Sequence, residues 1–93
     1  MSVLARFTPV SGSTPEQYDK AVSRVGEELG EEFSGCEIHV AFIGPDGKIH
    51  VSEIWDSREQ LDAFVKRLGP VLAEVGVDPG EPEVLEVYNI LKR

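Results

Sequence analysis

The chain has 93 residues, 41 % of them hydrophobic, which leaves room for one globular domain over residues 1–93 with one modest core. Seventeen acidic residues against nine basic ones give a net charge of −8, with no basic run longer than Lys66-Arg67 or Lys92-Arg93, and this argues against nucleic acid and against anionic membranes as partners. One cysteine, Cys36, excludes an internal disulfide and points to a reduced, cytoplasmic setting; no stretch approaches the ~20 apolar residues of a membrane span, and no signal-peptide pattern is read.

Val3 to Thr8 is a β-branched and aromatic run stopped by Pro9, which predicts a first strand. Thr14-Pro15-Glu16-Gln17 then opens a helix, with Thr14 as N-cap, Pro15 at the first helical position and Gln17 completing a capping box. Tyr18, Ala21, Val22, Val25 and Leu29 recur at helical spacing on one face. Gly30 is the expected stop, with Phe33 folding back onto the core.

Cys36 to Ile43 and Lys48 to Asp56 read as two strands around Gly44-Pro45-Asp46-Gly47, a type I turn followed by a glycine bulge. That turn sets Ile43 opposite Ile49, Ala41 opposite Val51, His39 opposite Glu53 and Glu37 opposite Trp55. Ser57 with Gln60, or Asp56 with Glu59, caps a second helix whose core stripe is Leu61, Phe64, Val65, Leu68, Leu72 and Val75. Gly69-Pro70 predicts a kink or break in it, and Gly76 its end. After Asp78-Pro79-Gly80 a last strand is expected from Glu83 to Leu91.

The order βαββαβ is that of a ferredoxin-like α+β domain: an antiparallel four-stranded sheet, order 4-1-3-2, with both helices on one face. Two helices cover only one side of such a sheet. A wetted second side would show polar residues at alternate positions, yet the hairpin carries Ile38, Val40, Phe42 and Ile54 on one face and Ala41, Ile43, Ile49, Val51 and Trp55 on the other, and the first strand carries Val3, Ala5 and Phe7 on one face and Leu4 on the other. A homodimer through the uncovered face is the expected solution.

The segment Val51-Ser52-Glu53-Ile54-Trp55-Asp56-Ser57-Arg58-Glu59-Gln60-Leu61-Asp62-Ala63-Phe64 resembles the strand-to-helix passage of the dimeric α+β barrel superfamily, in its antibiotic-biosynthesis-monooxygenase-like and stress-responsive members. The resemblance implies two sheets packed as a barrel and a small-molecule pocket between helices and sheet in each subunit. It also implies activities that range from cofactor-independent oxygenation and isomerisation to haem degradation, beside members of no assigned activity. Where many members carry a histidine on the second helix, seven residues past the serine cap, this chain has Phe64; where haem-degrading members place an asparagine on the first strand, it has Phe7.

His39 and Glu53 form the candidate catalytic pair: cross-strand neighbours lie about 4.5–5.5 Å apart at Cβ, so the carboxylate orients the imidazole as in general acid–base sites. Trp55 on the same face, His50 on the opposite one, Phe64 and Tyr88 are the candidate ligand-binding residues. No His or Cys grouping has zinc spacing, and no phosphate loop, nucleophile elbow or dinucleotide fingerprint is present, so neither metal nor cofactor is expected. Cys36, at the start of an apolar run, reads as a structural thiol. The expected function is binding of a small apolar or aromatic molecule, with cofactor-independent monooxygenase-like chemistry as its enzymatic form. A purely dimerising module and a haem-binding protein are the alternatives.

Overall fold

A computed structural model describes residues 1–93. β1 (Val3–Phe7), α1 (Pro15–Leu29), a 3₁₀ segment (Gly30–Gly35), β2 (Cys36–Ile43), β3 (Ile49–Trp55), α2 (Arg58–Glu74) and β4 (Glu83–Glu86) follow in chain order. The four strands form one antiparallel sheet in the order β2-β3-β1-β4, the predicted ferredoxin-like arrangement. No helix is long and apolar enough to cross a membrane.

The ends of the elements are set by local chemistry. Thr14 accepts from the Gln17 backbone N–H while the Gln17 side chain reaches back to the Thr14 N–H, so two amides at the start of α1 find partners. Ser57 accepts from the Gln60 N–H at the start of α2. α2 closes in a Schellman motif: Gly76, at φ +75°, donates to the Ala73 carbonyl, and Val77 donates to that of Leu72. Of the kink or break expected at Gly69-Pro70, no break occurs: α2 runs through Pro70. Both Lys66 and Pro70 lie on the exposed side, where water can take the carbonyl that proline leaves free, while Val71 and Leu72 stay buried beneath.

Gly44 and Lys48 close the β2–β3 hairpin through the Gly44 N–H to Lys48 carbonyl bond at 2.9 Å, and the predicted register follows for Ile43, Ala41 and His39. It fails at Glu37. A bulge there leaves Cys36, not Glu37, opposite Trp55, and Ile38 opposite Ile54. Strict alternation would have aimed the Glu37 carboxylate at the apolar core; the extra residue turns it outward to meet Lys92. The last strand is also shorter than the expected Glu83–Leu91. Its register pairs Glu86 with Val3, and one bond beyond that pair, from the Val87 N–H to the Ser2 carbonyl at 3.1 Å, follows before the strand pattern is lost.

The core lies between helices and sheet, with Ala5, Phe7, Ala21, Val25, Leu29, Trp55, Leu61, Phe64, Leu68, Val71 and Leu72 in one cluster. On the other side of the sheet Val40, Phe42 and Leu85 stand 41–47 % exposed.

Candidate functional site

The helices do not close completely over the sheet. Between them lies a cavity of about 400 Å³, floored by β1 and β3, walled by α1 and α2, and rimmed by the loops that follow β1 and α2. Those two loops are stitched together: Val10 and Ser11 donate to the Asp78 carbonyl, and Asp78 donates back to Ser11. Gly12 is required in this seam, since it sits at φ +73° and a Cβ there would lie 2.0 Å from the Gly76 carbonyl oxygen.

Most of the lining is apolar, from Phe7, Val25, Phe33 and Phe64 among others. Only Ser13, Tyr18, His39 and Glu53 bring polar side chains to it. Ser13 donates to the Ile49 carbonyl at 2.5 Å. The other three form a chain. Glu53 of β3 is 4 % exposed, and its Oε2 lies 2.6 Å from Nδ1 of His39, its cross-strand partner in β2. Glu53 Oε1 accepts the indole N–H of Trp55 at 2.9 Å. The other imidazole nitrogen, Nε2, lies 2.7 Å from the hydroxyl of Tyr18 on α1.

The proton positions follow from the partners. Trp55 only donates, and an ionised Glu53 only accepts, so Nδ1 of a neutral His39 carries the hydrogen and Nε2 accepts from Tyr18. Burial, followed by the negative charges of Glu53 and Asp19, pushes the Tyr18 phenol above its ordinary value, which keeps it a donor. Aromatic rings hold the imidazole in place. Phe33 from the 3₁₀ segment meets His39 edge-on at 5.9 Å between centroids and Phe64 at 4.6 Å, and Trp55 lies 5.0 Å from Phe64. No buried polar side-chain atom is left without a partner. The result is an oriented acid–base group at the polar end of an apolar cavity.

Of the residues singled out from sequence, His39, Glu53 and Phe64 line this cavity. Trp55 is fully buried beneath it and reaches it only through Glu53. His50 is elsewhere: it stacks on Phe42 at 5.5 Å and meets the Asp46 carboxylate at 2.9 Å, on the opposite face. Tyr88 is fully exposed and does not line this cavity. The sequence pattern marks Tyr18 and Phe33 only as core-facing residues, and the structure brings both to the cavity. For Tyr18 the available signal was its phenol on an otherwise apolar stripe, since a half-buried tyrosine hydroxyl needs a partner. No three His, Cys, Asp or Glu side chains converge as a metal-ligand set. The Cys36 thiol, facing the Ile38 carbonyl, is pushed up to about 12, first by burial and then by the Glu53 charge.

No protein-family model matches the chain, and no curated protein matches it in sequence. Solved structures do match. SnoaB, a cofactor-independent oxygenase from Streptomyces nogalater, is 13 % identical with a TM-score of 0.59 over 99 % of this chain and 96 % of its own. A candidate antibiotic biosynthesis monooxygenase from Chloroflexus aurantiacus is 18 % identical with a TM-score of 0.58, covering 98 % and 95 %. The ActVA-Orf6 monooxygenase of Streptomyces coelicolor, solved with nanaomycin D, is 21 % identical with a TM-score of 0.52 over 99 % and 91 %. Identities this low speak for architecture alone, and the strand order and helix placement agree with them: the chain has the ferredoxin-like α+β fold that these monooxygenase structures share.

Proposed function

We propose that the protein binds a small apolar or aromatic molecule in the cavity between helices and sheet, with the Tyr18–His39–Glu53 chain as its acid–base group. The observation that carries this reading is the union of the two: about 400 Å³ of apolar space ending on an imidazole whose tautomer is set by a buried carboxylate. Ligand pockets characteristically combine an apolar wall with few convergent polar groups, and a filled core would need neither.

In its enzymatic form the site performs cofactor-independent oxygenation, the class of activity named for SnoaB, whose fold this chain shares, and its substrate here is an electron-rich phenol. His39 takes the phenolic proton by way of Tyr18, and the resulting anion supplies electrons to dioxygen. A CH₂ carbon of the ligand becomes C=O with one oxygen atom, and the other oxygen leaves as water with both hydrogens. The protein works as a cytoplasmic homodimer joined through the uncovered sheet face, where Val40, Phe42 and Leu85 stand exposed. That exposed face also supports the second reading, a module whose apolar surfaces serve assembly alone.

A thermal-shift screen against phenolic and polycyclic aromatic compounds tests the proposal, since a ligand at 100 times its Kd adds about 2.7 kcal/mol of stability. A hit whose affinity falls in His39→Ala supports it. A protein that no aromatic compound stabilises, or whose ligands bind His39→Ala equally well, overturns it in favour of assembly.

A further inference from the structure

The polar groups that reach the cavity share a property that their positions alone do not reveal: each has already given its proton away. With a neutral imidazole beside the Glu53 carboxylate, the Tyr18 hydroxyl points its hydrogen at Nε2 of His39 and His39 points its own at Glu53, while Ser13 gives its hydrogen to the Ile49 carbonyl. What remains facing the cavity from these side chains is oxygen lone pairs. No lysine or arginine lines it, and its one formal charge is the Glu53 carboxylate. Arg24, on the neighbouring turns of α1, is held away by Glu28 and Glu74.

We infer that the cavity selects ligands carrying a hydrogen-bond donor on an apolar body, uncharged or cationic, and rejects carboxylates. This rests on the reading that the cavity binds a ligand, and it narrows the class. A donor such as an alcohol, phenol or ammonium finds the Tyr18 oxygen ready to accept. An ether or ketone of the same shape brings lone pairs against lone pairs. A carboxylate must leave water for a wall that offers it no cation and no free side-chain donor, while Glu53 repels it. The direction of the whole chain is imposed from its buried end. Trp55 can only donate, and Glu53 can only accept, so the proton order runs inward from Tyr18.

The test uses matched naphthalene probes at pH 7, titrated calorimetrically into the intact protein: 2-naphthylmethanol, its methyl ether, 2-naphthylmethylammonium and 2-naphthoate. The alcohol and the ammonium are expected to bind about tenfold or more tighter than 2-naphthoate, and several-fold tighter than the ether. Tyr18→Phe removes the outer oxygen and brings alcohol and ether to within about threefold of each other while apolar binding persists. Glu53→Gln reverses the chain, because the amide accepts from Trp55 and donates to Nδ1, so Nε2 donates to Tyr18 and the phenol turns its hydrogen outward. In that variant the ether should bind at least as well as the alcohol. If 2-naphthoate binds wild type as tightly as the alcohol, or if a folded Tyr18→Phe keeps the wild-type ranking, the inference is wrong and the cavity reading survives. If no probe binds, the cavity reading itself fails and takes the inference with it.

Discussion

Trp55 and Glu53 lie two residues apart on β3, both on the helix side of the sheet, and the indole N–H of the first donates to the carboxylate of the second at 2.9 Å. One of the largest fully buried side chains is thereby the anchor of a buried charge. Packing and polar satisfaction meet in that bond, since Glu53 has no lysine or arginine partner and its two carboxyl oxygens are met by Trp55 and His39.

Trp55→Phe should therefore cost more than the trimmed ring volume. It leaves Glu53 Oε1 buried without its donor, a penalty of about 1–3 kcal/mol. For a domain of this size each kcal/mol lowers Tm by roughly 4–8 °C. Calorimetric melting of the variant should show a drop of at least about 4 °C; an unchanged melting point would mean that the bond contributes nothing to stability.

The Cys36 thiol, pushed up to about 12 from an ordinary 9.0, makes a prediction with a definite sign. Its folded-state value lies above its unfolded one, so the native state holds this proton more tightly. The stability linked to it is complete below pH 9 and is lost as pH climbs from there toward 12. Cys36→Ala should flatten the alkaline limb of the stability–pH curve. In native protein at pH 8 the thiol should also react slowly with iodoacetamide and become fast only in urea. Equal rates in both conditions would contradict the burial assigned to it.

Gly12→Ala should destabilise the protein by about 1–3 kcal/mol, combining an unfavourable left-handed backbone with displacement of the carbonyl of Gly76. Because Gly12 rims the cavity, the same variant should loosen ligand binding while leaving the helix content by circular dichroism intact. Wild-type stability would show that the seam between the two loops yields without cost.

For the uncovered face the expectation is a dimer in sedimentation at micromolar concentration, and Phe42→Asp should shift it to monomer by placing a charge within the apolar surface. A wild-type chain that sediments as a stable monomer would remove the homodimer from the proposal.

What could be read from the chain alone was what neighbouring residues decide among themselves. Both helix caps, the Gly44–Gly47 turn and the pairing of His39 with Glu53 are short-range matters of hydrogen-bond geometry and alternation, and the structure carries all of them. The element order then restricts the topology, because right-handed crossovers leave few ways to arrange four strands and two helices. Three features needed the third dimension. Glu37 bulges outward because an apolar core on one side makes burial of its charge costly, and strand alternation has no knowledge of that cost. The last strand pairs Glu83–Glu86 with Arg6–Val3 and is followed by one bond, Val87 N–H to the Ser2 carbonyl, an extent that apolar alternation along the chain does not encode. Tyr18 joins His39 only once α1 has packed across β2, bringing together residues 21 positions apart. Local rules determined the elements and half of the polar chain; packing decided where that chain opens, since a hydroxyl on an apolar stripe acquires its partner only from the surface it is pressed against.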